Sequence, residues 1–244
     1  MSTTGDGLRE YSRTQSGDLT EKSTSQDSVD FKGEVIRKVI HLFSLAIPIA
    51  YYFMPRWLAL EIIVPLAVAF MIVDLSRYEI PLVSGPFYKI FGFLLRRHEV
   101  DQKRHALNGA TFMLISGALC IAIFPKYITV DSFTVLILAD ASSAVFGKRF
   151  GRHKIFPGRG TPRSYEGSLA FILAGFVAVA LTPKIHYDSA EYLIGFASCF
   201  AGAAAEVLSY GIVDDNIAIP ITYGLTLWAL YVIFLPHLNI YFMG

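Results

Sequence analysis

A carboxylate inside an apolar run, followed at once by a cluster of cations, is the arrangement in this chain that carries the most chemistry. Residues 136–170 read LILADASSAVFGKRFGRHKIFPGRGTPRSYEGSLA. Asp140 stands among small residues, and the apolar segment around it is expected to end at Gly147. A loop with Lys148, Arg149, Arg152, Lys154, Arg159 and Arg163 follows, and Glu166, Gly167 and Ser168 open the next apolar segment. An acidic side chain at membrane depth is costly and marks a functional site by default. Beside a basic, glycine-bearing loop, the ligand it suits is a polyphosphate held with a divalent metal.

Other ionisable residues recur at matching places. Glu34, Arg37, Lys38 and His41 open the first apolar segment, and the i,i+4 spacings 34–38 and 37–41 put each pair on one helix face. Asp74 and Arg77 close the second segment; Arg104, Asn108 and Gly109 begin the third. Asp140 lies seven residues inside Gly147, about 10 Å deep at a helical rise of ~1.5 Å. Glu206 is near the end of the sixth segment, and Asp214, Asp215 and Asn216 precede the seventh. Each has a plain structural reading. Arg37 and Lys38 can snorkel from a helix end. His41 can be a hydrogen-bonded bundle histidine, Asp140 can pair with a nearby cation, and the basic loop can be topogenic. Asn216 reads as an N-cap, with Pro220 in the first turn where its missing N–H costs nothing. The gathering of these residues on one side of the membrane is what argues for a site.

The elements that must position them are membrane helices. The 244 residues are 54% hydrophobic and only 17% charged, with a mean hydropathy of +0.49, which is the composition of a polytopic membrane protein. At about 20 apolar residues per span, seven spans are expected over 35–54, 57–75, 107–125, 130–147, 167–182, 189–208 and 217–235. Residues 86–95 are too few to cross and end in Arg96 and Arg97, so they are expected to form an interfacial helix. The fold class is therefore all-α, a polytopic bundle of about seven transmembrane helices plus one short interfacial helix. Residues 1–30 are polar and Ser/Thr-rich and are expected to be a disordered cytosolic tail; residues 31–244 form the membrane-embedded catalytic domain. Cys120 and Cys199 stand alone in apolar segments and read as small buried hydrophobes.

Charge sets the orientation. With the N-terminus in the cytosol, the outer connections carry only Arg56, Lys126 and Lys184. Lys32, Arg37, Lys38, Arg77, Lys89, Arg96, Arg97, Lys103, Arg104 and the six loop cations all fall inside, as the positive-inside rule favours. The outer half of each span reads as almost wholly apolar.

The motifs EVIRKVIH (34–41), DASSAVFGKRFG (140–151), RSYEGSLAF (163–171) and AEVLSYGIVDDNIAIP (205–220) resemble, in order and spacing, the CTP-dependent lipid kinases. That family includes dolichol kinase, phytol kinase and CTP-dependent diacylglycerol kinase. DLSR (74–77), LLRRHEV (94–100) and LNG (107–109) look like the diacylglycerol kinase branch. Arg163 stands where the family commonly has Lys; it keeps the charge and adds a planar fork. The resemblance implies transfer of the γ-phosphoryl group of CTP to the hydroxyl of a membrane lipid alcohol. It implies catalytic roles for Asp140, His41, Arg37 and Lys38, with Asp140 or His41 as the base. Nucleotide and phosphate contacts would come from Gly147, Lys148, Arg149, Gly151, Arg163, Glu166, Gly167 and Asn108. Asp140, Asp215, Asp214 and Glu206 would offer oxygen to Mg²⁺ or another divalent cation. The partners so implied are CTP, a lipid alcohol and the bilayer, with no nucleic acid, and the active site would face the cytosol of a bacterial inner membrane or endoplasmic reticulum.

Two other functions compete. A cytidylyltransferase like CDP-diacylglycerol synthase shares the aspartate, the paired glycines and the Glu-Gly pair, but Asp214-Asp215-Asn216 stands where its second acidic motif is expected. An ion- or proton-coupled transporter would relay charge through Asp140 and Glu206, and would want polar residues at several depths. No P-loop or protein-kinase motif is present in the sequence.

Overall fold

The computed structural model describes residues 35–91, 107–155, 163–209 and 213–241. The polar tail, Lys32, Glu34, Arg96, Arg97, Lys103, Arg104 and Arg159 lie outside the described residues. Among the described residues there are helices and one isolated antiparallel bridge, and no named strand.

Helix α1 covers 35–43 and α2 covers Ala46–Phe53; together they make one candidate span, Val35–Phe53. The break between them has a local cause. Pro48 has no N–H for the carbonyl of Ser44, and the chain tightens there, with Leu45 N donating to Leu42 O and Ile47 N to Ser44 O. Next come α3, Arg56–Glu79, and α4, Pro81–Phe91. Then follow α5, Gly109–Ile123, and α6, Lys126–Phe150. The last three are α7, Tyr165–Leu181, α8, Ser189–Leu208, and α9, Asp215–Phe234. Among the described residues, five helical stretches are long and apolar enough to cross a membrane, while α5 and α7 are apolar but have only 15 and 17 residues. The architecture is a polytopic helical membrane bundle.

Helix α6 is its axis. Its residues from Ile128 to Ile137 are buried without a break, so it is enclosed on every side rather than along one stripe. Thr134 returns its hydroxyl to Val130 O at 2.8 Å, and Thr129 gives its own to Cys120 O at 3.0 Å, which removes the cost of placing them there. Around α6 pack α7, α9 and α2, and one core joins Phe124, Phe133, Leu136, Phe171, Ile219 and Tyr223. Cys120 and Cys199 are both free and fully buried, as expected of small apolar fillers.

Four expectations need correcting. Helix α6 does not stop at Gly147; it runs on to Phe150 with Gly151 as its C-cap. Lys148 and Arg149 therefore lie on the last helical turn, where cations suit the helix dipole, and not in a loop. Gly147 is needed for packing instead. A Cβ there would stand 3.4 Å from Gly167 Cα, so its absence lets α6 and α7 cross closely. The interfacial helix begins at Pro81, with Pro86 inside it. The N-cap of α9 is Asp214, whose side chain accepts from Asn216 N at 3.0 Å. A carboxylate outcompetes the neighbouring amide for that position, so Asn216 is helical and Pro220 sits beyond the first turn.

The fourth correction concerns the end of the bundle away from Asp140, which is not apolar. Asp131 accepts from Thr182 Oγ1 and from Tyr223 OH (3.0 Å), and Lys184 Nζ lies 3.8 Å from it. Lys184 also donates to Val179 O at 2.8 Å. Glu191 takes the backbone N–H groups of Ile185, His186 and Asp188 and the hydroxyl of Tyr231 at 2.9 Å. Burial pulls the Lys184 ammonium below its ordinary pKa, and Asp131 and Glu191 offset this only in part. These residues come from α6, α8, α9 and the 182–188 connection, so the network ties that end together.

Candidate active site

The site is assembled from α1 and α6. Arg37, Lys38 and His41 lie within four residues of one another on α1, so that they share its inward side. Lys38 Nζ forms an ion pair and hydrogen bond with Asp140 Oδ2 of α6, and His41 Nε2 lies 3.7 Å from the same oxygen. Lys38 and Asp140 are buried, at 6% and 4% exposure. Neither charge would be tolerable there alone.

A second cluster abuts the first. Ser143, one turn along α6, donates to Glu206 Oε1 at 2.7 Å. Arg163 Nη1 reaches the same oxygen at 2.9 Å, and its Nη2 pairs with Asp215 Oδ2. Ser209 donates to the other oxygen of Asp215. Burial acts to lower the pKa of Arg163, but the carboxylates of Asp215, Glu206 and Asp140 outweigh it and raise it. Arg163 is held in place by the two arms of its loop. Ile155 N donates to Arg163 O at 2.8 Å and Tyr165 N to His153 O at 3.0 Å, around the Lys154–Ser164 bridge.

A third group fixes the start of α5. Asp74 accepts from Asn108 N at 2.6 Å, from Asn108 Nδ2 at 3.1 Å and from Thr111 Oγ1 at 3.1 Å. Arg77 Nη1, wholly buried, lies 3.2 Å from Asp74 Oδ1, and its guanidinium stacks 4.7 Å from the Phe87 ring of α4. Asn108 caps α5 through Thr111 N at 2.9 Å, so one carboxylate positions the helix start at the cavity.

These groups border a cavity of about 380 Å³, within the range of small-molecule sites. Its lining is amphipathic: Arg37, Lys38, His41, Asn108, Asp140, Asp215 and Asn216 are polar, and Ile40, Leu66, Phe70, Val73, Phe87 and Met113 are apolar. Of the expected site residues, Arg37, Lys38, His41, Asn108, Asp140 and Asp215 line this cavity, and the other nine stand elsewhere. Glu206 and Arg163 stand behind the lining. Glu166 clasps the loop, its Oε1 2.7 Å from His153 Nδ1. Gly147, Gly151 and Gly167 allow close packing around Ser164. Lys148 and Arg149 are exposed and off the cavity lining, and Asp214 caps α9. Ser143, Ser209 and Thr111 join these clusters without a motif that marks them; the i,i+3 spacing of Ser143 from Asp140 is the sequence signal that could find one of them. Among the described residues no three His, Cys, Asp or Glu side chains group as a metal site by themselves.

Fold and site together define a polytopic helical membrane protein with a buried ionic centre at the head of an amphipathic cavity. The chain is 26% identical over 199 residues to an uncharacterized protein of Rickettsia prowazekii, covering 81% of this chain and 94% of that one. It is 26% identical over 163 residues to CTP-dependent diacylglycerol kinase 1 of Schizosaccharomyces pombe, covering 61% and 70%. With the phytol kinase of Synechocystis it shares 24% over 202 residues, covering 80% and 79%. These distant likenesses support a kinase-type enzyme. No family model matches the sequence, and no solved structure matches it.

Proposed function

We propose that this protein transfers the γ-phosphoryl group of CTP to the hydroxyl of a membrane lipid alcohol, diacylglycerol or an isoprenoid alcohol. The observation that carries the reading is the Lys38–Asp140–His41 group on an amphipathic cavity whose apolar lining includes Leu66, Phe70 and Val73 of α3. Such a cavity can take a lipid hydroxyl at one end and its hydrocarbon at the other. Phosphoryl transfer depends on positioning and charge neutralisation more than on covalent chemistry. Arg37 and Lys38 face the phosphates. Asp140 or His41 takes the hydroxyl proton; the two lie side by side, His41 Nε2 3.7 Å from Asp140 Oδ2. Asp215 and Asn216 close the polar mouth, and Asp74 sets the α5 start that carries Asn108.

The donor set fits a divalent cation that arrives with nucleotide. Mg²⁺ needs only one or two carboxylates when phosphate oxygens supply the rest, and Asp140 and Asp215 both line the cavity. A cation bound there would neutralise charge on the phosphates. The site end also gathers Arg37, Lys38, Arg152, Lys154 and Arg163 against Arg56, Lys126 and Lys184 at the other, which favours a cytosolic active site.

The packing of α6 disfavours a transporter. The far cluster exists, but its carboxylates are hydrogen-bonded within the chain. Val135, Leu136, Ile137 and Ala139, all fully buried, fill the interval on α6 between Asp131 and Asp140. The test of the proposal is purified protein with Mg²⁺, diacylglycerol or a polyprenol, and CTP labelled at the α or γ phosphorus. Label should enter lipid from the γ position alone; entry from the α position alone makes the protein a cytidylyltransferase.

A further inference from the structure

The cavity has a side opening as well as a polar head. Leu66, Ala69, Phe70 and Val73 follow the i, i+3, i+4, i+7 spacing of one helix stripe, and all four line the cavity. Yet Leu66, Phe70 and Val73 keep 43%, 42% and 47% of their surface exposed, and Ile40 across the gap on α1 keeps 44%. Side chains that line a cavity and remain this exposed border an opening. On the opposite wall Met113 and Asp140 are buried, at 3% and 4%. The cavity thus runs from a slot between α1 and α3 to a charged floor. Because α3 is one of the helices long and apolar enough to span, the slot faces hydrocarbon. Its stripe covers the seven steps from Leu66 to Val73, about 10 Å at a rise of ~1.5 Å per residue, and ends beside Asp74.

We infer that the acceptor lipid enters sideways from the bilayer through this α1–α3 slot, and that Leu66, Phe70 and Val73 read only the part of the lipid next to its hydroxyl. The inference rests on the lipid kinase reading. A neighbouring helix is a poor occupant, because it would press apolar side chains on Lys38, Asp140 and Asp215 and leave them unsatisfied. A lipid alcohol matches both ends, with its hydroxyl at the floor and its hydrocarbon along the stripe. Beyond about 10 Å the tail lies in the bilayer and touches no slot residue. The nucleotide would approach from the polar side of the cavity, where Arg37 and Asp215 line it. Entry from the α3 side leaves the polar lining to the nucleotide, so the slot and the nucleotide contacts are separable by mutation.

The experiment uses the full chain in liposomes with a diacylglycerol carrying a diazirine close to the glycerol, without nucleotide. After illumination, adducts should map to peptides containing residues 36–44 and 66–73, and unlabelled diacylglycerol should suppress them. Phe70→Trp fills the slot and should lower adduct yield and raise the lipid KM about tenfold, with kcat and the CTP KM held within about twofold. Val73→Trp should act likewise if Phe70→Trp does not fold. Ile72→Trp, on the same helix but off the cavity lining, should change neither quantity. Adducts mapping elsewhere, no adduct on these peptides, or equal effects of Ile72→Trp and Phe70→Trp overturn the slot. Suppressible adducts at the slot in a protein that transfers no label from CTP would uphold the lipid entrance and refute the kinase.

Discussion

Ser143 Oγ and Glu206 Oε1 lie 2.7 Å apart, joining α6 to α8 one turn from Asp140. The same carboxylate oxygen takes Arg163 Nη1 at 2.9 Å. A cation from a connecting loop is thereby anchored to the helix that carries the central aspartate. Its charge is inseparable from the packing of three helices.

Removing that cation should unfold more than the loop. Arg163→Ala leaves Glu206, 1% exposed at its side chain, without a counter-ion; breaking a buried pair in this way costs ~3–5 kcal/mol. Thermal unfolding in detergent should show a large drop for Arg163→Ala and a smaller one for Arg163→Lys, which keeps the charge and loses the fork. Because the surrounding carboxylates raise its pKa, the guanidinium stays charged at any pH the protein tolerates, so substitution is needed to test it. Equal stability of wild type and Arg163→Ala would remove the anchoring role.

Asp140→Asn should abolish most turnover, and because it also leaves buried Lys38 without its counter-ion, turnover is measured per folded protein at a permissive temperature. The amide fills the same volume but cannot take a proton, and loss of a general base costs a factor of about 10²–10⁴. Label transfer from γ-labelled CTP measures this directly. Turnover within a few-fold of wild type would take Asp140 out of the chemistry.

Arg37 and Lys38 should separate. Arg37 is half-buried at the cavity mouth, so Arg37→Ala should mainly raise the CTP KM, by about ten- to a hundredfold for the ~1.5–3 kcal/mol of a charged hydrogen bond. Lys38→Ala should lose stability as well, because it strands Asp140. If both variants use CTP normally, neither cation contacts the nucleotide and Lys38 serves only to pair Asp140.

At the far end, Tyr231→Phe removes the hydroxyl bonded to Glu191. It should lower stability by ~1.5–3 kcal/mol and leave kcat and both KM values unchanged at a permissive temperature. A changed CTP KM would show that the two ends of the bundle are coupled.

The topology can be read with two cysteines. Cys120 and Cys199 are fully buried, so an impermeant thiol reagent added to intact cells should label only introduced sites. Tyr187→Cys should react from outside and Lys154→Cys should not. The reverse pattern would place the cation-rich end away from the cytosol.

Apolar run length and charge position are properties of short stretches, and these alone specified a helical membrane bundle with ionisable residues gathered at one end. The same local reading made Gly147 a helix end and Asn216 a cap. Both failed because a glycine's place in a helix depends on whether another backbone needs its missing Cβ, and a cap depends on which neighbouring side chain wins the free N–H. Pairing was beyond the sequence altogether. Lys38 and Asp140 are 102 residues apart, and their ion pair depends on how α1 and α6 are rotated against each other. Lys148 and Arg149, close to Asp140 in sequence, point outward because α6 continues through Gly147. The far-end network stayed hidden for the same reason: Asp131, Lys184 and Glu191 look like single charges at helix ends. Only the packing of α6, α8 and α9 brings each one the partners that make its burial possible.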